Sequence, residues 1–374
     1  MKILIAGDMR PYGKVAQLFD AGDYEAVLSE VRPYIEQADY SVINFESPVV
    51  KGNARPIEKC GPNLKCSDSC VKALKWAGFD CVTLANNHFL DFGREGVQDT
   101  LYACDAQGID TVGGGMNVKD ASHILYKQIL GKVLAIINCC EHEFSIATEE
   151  TAGSNPLNPI QQYYAIVEAR ERADFIVVIV HGGHEHYQLP SPRMQETYRF
   201  FIDAGADAVV NHHQHCYSGY EWYHGKPIIY GLGNFSYYSN QPQPKGWYEG
   251  YMVVFDYSER LSFDIIPYQQ SFNSPKVIVL NGELKQAFND SLDGLNSIII
   301  DPVKLKASHE AWMKENCASG RILFQPYNSR ILRALFVRGL LPSFITKKKR
   351  LSIQNNLRCE SHLDSLRFNI ESKK

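Results

Sequence analysis

None of the ten cysteines stands in a Cys-x-x-Cys pair, which removes the usual structural-zinc spacing. Cys60, Cys66 and Cys70 are six and four residues apart, and Cys139 and Cys140 are adjacent, poorly placed to bridge each other. The set reads as reduced, mostly buried thiols. Basic residues are not in excess: 38 Lys and Arg face 42 Asp and Glu, a net charge of −4. That gives no general attraction to nucleic acid, and no nucleic-acid motif is present. Long apolar runs are missing too. The run at 175–180 is far too short to span a bilayer. The stretch after Lys2 breaks at Gly7-Asp8 and does not read as a secretory leader, so the chain is expected to be cytoplasmic. The dinucleotide and P-loop glycine spacings are absent, although Gly113-Gly114-Gly115 forms a flexible turn.

What is present is an ordinary globular balance, 45% hydrophobic and 21% charged over 374 residues, enough for one large domain or two. Short apolar runs at 1–6, 40–44, 79–84, 130–138, 174–180, 208–210 and 226–231 read as strands. Helical spacing is expected over 24–38, 67–77, 96–107, 160–172 and 194–204. Residues 47–66, with Pro48, Gly52, Pro56, Gly61 and Pro62, form a long loop. A late hairpin is expected from 251–256 and 261–267. Alternating strands and helices argue for an α/β fold.

Several of these runs end in side chains that can bind a cation. Asp8 and Glu46 offer carboxylates, Asn87 an amide oxygen, and His88, His181, His213 and His215 imidazoles. In α/β folds the carboxyl ends of parallel strands line the ligand cleft. A mixed N/O set suits one or two divalent ions of zinc, manganese or iron, and two such ions can clamp a phosphoryl group. If His213-Gln214-His215 is extended, both rings face one side. Each element taken alone has a plainer reading as a cap, a turn or a packed histidine; their shared position at strand ends gives them weight.

The ordered set Gly7-Asp8, Asn44-Phe45-Glu46-Ser47-Pro48, Leu84-Ala85-Asn86-Asn87-His88-Phe89-Leu90-Asp91-Phe92-Gly93, His181 to Tyr187, Asn211 to His215 and Pro227 to Phe235 resembles the bacterial CapA family. These are capsule and poly-γ-glutamate biosynthesis proteins, and the resemblance covers residues 1–270. It implies a metallo-dependent phosphatase-like sandwich of two β-sheets flanked by helices, with a helical C-terminal extension over 271–374. It also implies that Asp8 bridges two metals, that Asn87, His181, His213 and His215 are ligands, and that Glu46 stands where the superfamily has aspartate. His88 would be the general acid. Where the superfamily has Asp-x-His this chain has Asp8-Met9-Arg10, and a guanidinium suits an anionic substrate. Glu185 matches an acidic family position, although His184-Glu185-His186 also reads as a solvated loop. Asn234 could bond the site or a neighbouring histidine. Asp91 and Gly93 read as structural.

The resemblance implies a metal-dependent hydrolase of capsule, exopolysaccharide or poly-γ-glutamate biosynthesis. The alternative is a non-catalytic component that binds polymer or metal. Expected partners are an acidic polymer or phosphorylated precursor and other capsule-assembly proteins. Residues 328–344 are amphipathic, with Ile331, Leu332, Leu335 and Phe336, and lead into Lys347-Lys348-Lys349-Arg350. This segment could dock on the main domain or make peripheral membrane contact through 328–350.

Overall fold

A computed structural model of the chain describes residues 1–239, 241–258, 260–272, 274–316, 322–358, 362–363, 366 and 370. The strands are β1 (Lys2–Arg10), β2 (Tyr40–Phe45), β3 (Cys81–Thr83), β4 (Asp110–Val112), β5 (Gly114–Gly115), β6 (Leu125–Ile129), β7 (Lys132–Cys140), β8 (Gly153–Ser154), β9 (Phe175–His181), β10 (Ala208–His212), β11 (Tyr220–Tyr223), β12 (Lys226–Ile229), β13 (Asn234–Tyr237), β14 (Glu249–Tyr257), β15 (Leu261–Gln270) and β16 (Val277–Val279). The helices are α1 (Gly13–Asp20), α2 (Glu25–Leu28), α3 (Arg32–Ile35), α4 (Ser69–Ala77), α5 (Gly93–Ala106), α6 (Val118–Ala121), α7 (Pro159–Arg170), α8 (Pro192–Ala204), α9 (Gly282–Ile299), α10 (Pro302–Asn316), α11 (Arg330–Val337) and α12 (Lys347–Arg358).

Two sheets form the body. One runs β16-β15-β14-β1-β2-β3-β4, with β13 also pairing β1; the other runs β11-β12-β10-β9-β7-β6. The pairs β1·β2, β2·β3, β7·β9 and β9·β10 are parallel. Their strands are apolar on both faces because both faces are buried. Ile3 and Ile5 of β1 join Val42, Ile136, Val177 and Val210 between the sheets. Leu4 and Ala6, on the opposite face, pack with Phe19, Val71 and Leu74. Helices α7 and α8 pack on the second sheet. Asn158 and Ser191 cap them by accepting from Ile160 and Met194 backbone N–H groups, with proline next in line. The two-sheet, helix-flanked arrangement is the one the sequence resemblance implies.

Local departures have clear causes. Residues 24–38 were expected to form one helix but form α2 and α3, because Pro33 can start a helix but not continue one. The expected strand at 130–138 is the second arm of a hairpin. Leu130 (φ 49°) and Gly131 (φ 80°) turn the chain between β6 and β7, as a two-residue loop requires. The amphipathic stretch 328–344 yields only α11; Gly339 has φ 75° and Pro342 follows.

The chain forms two compact units, Met1–Leu305 and Lys306–Lys374. The first takes in β16 and α9, whose Phe288 ring stands 4.5 Å from Tyr217 and 6.0 Å from Tyr251. Cys317 and Cys359 lie outside the described residues; of the other eight cysteines all are free and only Cys60 is exposed. No described helix is long and apolar enough to cross a membrane.

Gly7 decides whether the first sheet can close. A Cβ there would fall on the Gly233 carbonyl oxygen, which accepts from the Asp8 N–H at 3.0 Å. Gly7→Ala is expected to destabilise the fold by about 3 kcal/mol, read as a lowered urea midpoint.

Candidate metal centre

The parallel strands of both sheets deliver their carboxyl ends to one place. Asp8 lies in β1, Glu46 follows β2, Asn87 and His88 follow β3, His181 ends β9, and His213 and His215 follow β10. All seven are buried. The two carboxylates are served very differently. Asp8 Oδ1 accepts from Asn44 Nδ2 at 2.7 Å, and Oδ2 from the His213 backbone N–H at 3.0 Å. His212 Nδ1 stands 3.1 Å from Asp8 Oδ1. Burial alone would raise the Asp8 carboxyl, but His212, His181 and His215 hold it well below the usual range. Glu46 is fully buried, and neither of its oxygens accepts a hydrogen bond. Burial pushes its carboxyl well above the usual range, Asp8 and Glu185 add to the rise, and Arg10 opposes it.

Around this unsatisfied carboxylate stand further nitrogen and oxygen ligand atoms. His181 Nε2 and His215 Nε2 each lie 3.7 Å from Glu46 Oε1. His181 Nε2 is also 3.1 Å from Asn87 Oδ1 and 3.1 Å from His213 Nδ1. Atoms about 2.1 Å from one cation, at angles near 90–120°, stand about 3.0–3.6 Å apart. The donors divide into two triads, Glu46–His181–His213 and Asp8–Glu46–His215. Glu46 is the member that the two triads share, and Asp8 belongs to one of them. The chemistry of the set fits a divalent cation.

The backbone is bent to make this arrangement. His213 and His215 have φ of 91° and 54°, and His186 has 62°. Such angles are rare outside glycine and cluster at functional sites. Strand alternation was expected to aim His213 and His215 together. Instead β10 ends at His212, and left-handed turns bring the two ring centroids to 6.0 Å. Asn234 fixes the His215 ring. Its Nδ2 donates to the His215 and Trp247 carbonyls at 3.0 and 3.2 Å, so its Oδ1, 3.0 Å from His215 Nδ1, must accept. The proton therefore sits on Nδ1, and Nε2 keeps its lone pair for the cluster. Burial lowers His215 to about 4 and His181 well below its ordinary value.

His88 sits at the rim. Its Nδ1 is 2.6 Å from Asp91 Oδ2, leaving Nε2 free of that contact. Burial lowers its pKa, with Asp91 pulling against the fall. Asp91 does more than stabilise a turn. Its carboxylate also pairs with the buried Lys59 ammonium and accepts from the Leu64 N–H at 2.6 Å. Its carbonyl accepts from Ile57 N and Asn63 Nδ2, so the 57–64 loop is latched beside His88. The Arg10 guanidinium lies 4.7 Å from the Tyr12 ring and 5.1 Å from the Tyr237 ring, a cation held between two aromatic faces. Glu185 is exposed and acts on Glu46 and His215 through its charge.

Four further residues take part that the residue-by-residue reading did not single out. Asn44 and His212 lie inside the quoted motifs and address Asp8. Glu143 follows β7; its Oε2 accepts from Asn87 Nδ2 at 3.2 Å, and its Oε1 lies 3.7 Å from His213 Nε2. Lys59 carries no sequence signal, since only the folded loop brings it to Asp91.

Residues 2–239 match the family model described as bacterial capsule synthesis protein PGA_cap. The chain belongs to this family. The PGA_cap match covers every residue of the cluster, from Asp8 to Asn234. The chain is 30% identical to the capsule biosynthesis protein CapA of Bacillus anthracis, over 83% of this chain and 78% of that one. It is 33% identical to the PGA biosynthesis protein CapA of Bacillus subtilis (strain 168), over 61% of each. A 5′-nucleotidase precursor from Thermus thermophilus superposes at a TM-score of 0.42, with 11% identity, covering 87% of this chain and 60% of that one.

Two outcomes are expected from this geometry. His215 and His181 titrate lower folded than unfolded, where histidine titrates near 6.5. The unfolded chain therefore binds more protons as pH falls from about 6.5 toward 4, and stability is lost over that window. Glu46, raised when folded, contributes with the opposite sign over this window, so the test is a difference: between pH 7 and pH 4 metal-free His215→Asn should lose less melting temperature than wild type, and an unchanged slope refutes the assignment. Removing Lys59 leaves Asp91 short of a buried partner. Lys59→Met should destabilise by about 3 kcal/mol, and adding Asp91→Asn should recover part of the loss in urea titrations.

Proposed function

We propose that this PGA_cap protein is a metal-dependent hydrolase or transferase of surface-polymer biosynthesis, capsule polysaccharide or poly-γ-glutamate, acting on a phosphoester or an acidic polymer precursor. The observation that carries the reading is the Glu46 carboxylate, fully buried with both oxygens unsatisfied and ringed by Asp8, His181, His213 and His215. An orphaned charge of this kind costs several kcal/mol unless a cation or a proton meets it.

Asp8, Glu46, Asn87, His181, His213 and His215 would hold one or two ions of manganese, zinc or iron. When bound, a divalent cation supplies Lewis acidity toward a phosphoryl or carbonyl oxygen and lowers the pKa of water. The remaining work falls to the chain's own side chains. Arg10, pinned between Tyr12 and Tyr237, holds an anionic oxygen of the substrate. His88, with Nδ1 tied to Asp91, presents Nε2 to protonate the leaving oxygen. Asn234 orients His215. Glu185 and Glu143 border the opening as acidic side chains. Residues 1–270 would carry the activity and 271–374 serve as an extension. Other capsule-assembly proteins would be its partners.

A second reading drops the turnover: a non-catalytic component of the assembly that binds polymer or metal. Arg10, standing where a hydrolytic superfamily member has a histidine, favours it.

Elemental mass spectrometry of purified protein should find one or two ions per chain, lost in Glu46→Gln and in His213→Ala/His215→Ala. Because burial raises the Glu46 carboxyl well above its usual range, loading should release protons, seen as a dependence of calorimetric enthalpy on buffer ionisation. With metal bound, His88→Ala should lower phosphoester turnover about a hundredfold or more. Metal without turnover would move the balance to the binding component, and so would no metal after reconstitution, which refutes the hydrolase.

A further inference from the structure

Charge is divided sharply along this chain. Residues 306–374 hold 14 Lys and Arg against 5 Asp and Glu, a net +9 in a chain of net −4, so residues 1–305 carry −13. The basic segment is also built to keep apolar side chains outside. Helix α11 buries none of its residues. Ile331 is 73% exposed, Leu340 66% and Phe344 60%. On α11 the side chains of Ile331, Leu332, Leu335 and Phe336 share one face, while Arg330 and Arg333 stand on the other side.

The surface is held in shape from behind. Tyr327 is buried; its ring stands 5.3 Å from Phe336 and 5.8 Å from Phe344, and its hydroxyl donates to the Pro342 carbonyl at 2.6 Å. Arg333 Nε donates to the Tyr327 carbonyl at 3.2 Å. Gln325 Nε2 donates to Ser343 Oγ, and its Oε1 accepts from the Phe344 N–H, both at 2.9 Å. The turn carrying Leu340 and Phe344 is therefore tied to α11, and Lys347-Lys348-Lys349-Arg350 opens α12 directly after it.

We propose that the C-terminal unit docks the protein on an anionic membrane surface, with Leu340, Phe344 and the apolar face of α11 entering the headgroup boundary and the 347–350 cluster meeting lipid phosphates. Exposed apolar side chains interleaved with basic ones fit an anionic bilayer, which rewards both. A soluble acidic polymer would engage the charge and leave the leucine and phenylalanine unused. The C-terminal unit of a second copy would bring like charge against like. The inference is independent of the metal centre.

Full-length protein would be co-sedimented at low salt with phosphatidylcholine vesicles, with and without about one-third phosphatidylglycerol, and separately titrated with soluble poly-glutamate. Binding to anionic vesicles alone, reduced by high salt, is expected. K347E/K348E/K349E alters exposed side chains, and L340S/F344S alters exposed Leu340 and the Phe344 ring that also touches Tyr327; each should lower vesicle binding about tenfold or more with unchanged circular dichroism. Wild-type protein that ignores anionic vesicles, or vesicle binding unaffected by either variant, overturns the proposal. So does poly-glutamate binding that needs the lysines, tolerates L340S/F344S and occurs without vesicle binding, which would reassign the unit to the polymer.

Discussion

Burying a carboxylate among other charges, with no hydrogen bond to either oxygen, is the condition around which the donor-bearing end of this molecule is organised. Glu46 is placed there by a parallel strand that cannot shift without losing its apolar packing between two sheets. Its neighbours are disposed so that none of them satisfies it. Asn44 and the His213 amide serve Asp8 instead, and the nearest imidazole nitrogens stay 3.7 Å away. The result is a buried cluster in which two carboxyl groups and three imidazoles converge. That is unfavourable for the bare protein and favourable for a cation.

Backbone geometry and electrostatics are coupled in this arrangement. The left-handed turns at His213 and His215 are strained, and strain of that kind persists only where surrounding structure over-determines it. Here the surroundings are the Asn234 amide, clamped by two carbonyls, and the close passage of β1 past Gly233. Residues far from the cluster in sequence therefore set which nitrogen of His215 faces it. On the opposite rim Asp91 ties His88 to the 57–64 loop through Lys59 and Leu64, so the orientation of one imidazole and the position of one loop are a single structural fact.

The α/β class, most of the strands and the six donor residues of the cluster were legible in the sequence, because buried parallel strands leave uninterrupted apolar runs and their ends stand out by contrast. What was not legible depended on the third dimension. The sharing of Glu46 between the two triads is a matter of distances, which motif order does not encode. The pairing of His213 and His215 was anticipated for the wrong reason, since alternation along a strand and two left-handed turns both bring alternate residues together. Lys59 and Glu143 lie in loops with no periodicity to mark them. The β6–β7 turn was hidden because leucine at Leu130 is an unusual residue for a positive φ. Helix α9 falls in the extension that the resemblance made helical, but its bounds were not legible because only Phe288, Leu292 and Ile299 are buried.

Strand β1 occupies the centre of its sheet, flanked by β2 and, from the far end of the first unit, by β13 and β14. Beyond β2, residues 2–10 thus find their partners more than 220 residues downstream. Asp8 has its neighbour Gly233, and Lys2 to Ile5 have theirs at Val253 to Asp256. During translation this apolar strand must remain with one edge unpaired, or be shielded, until most of the unit has left the ribosome.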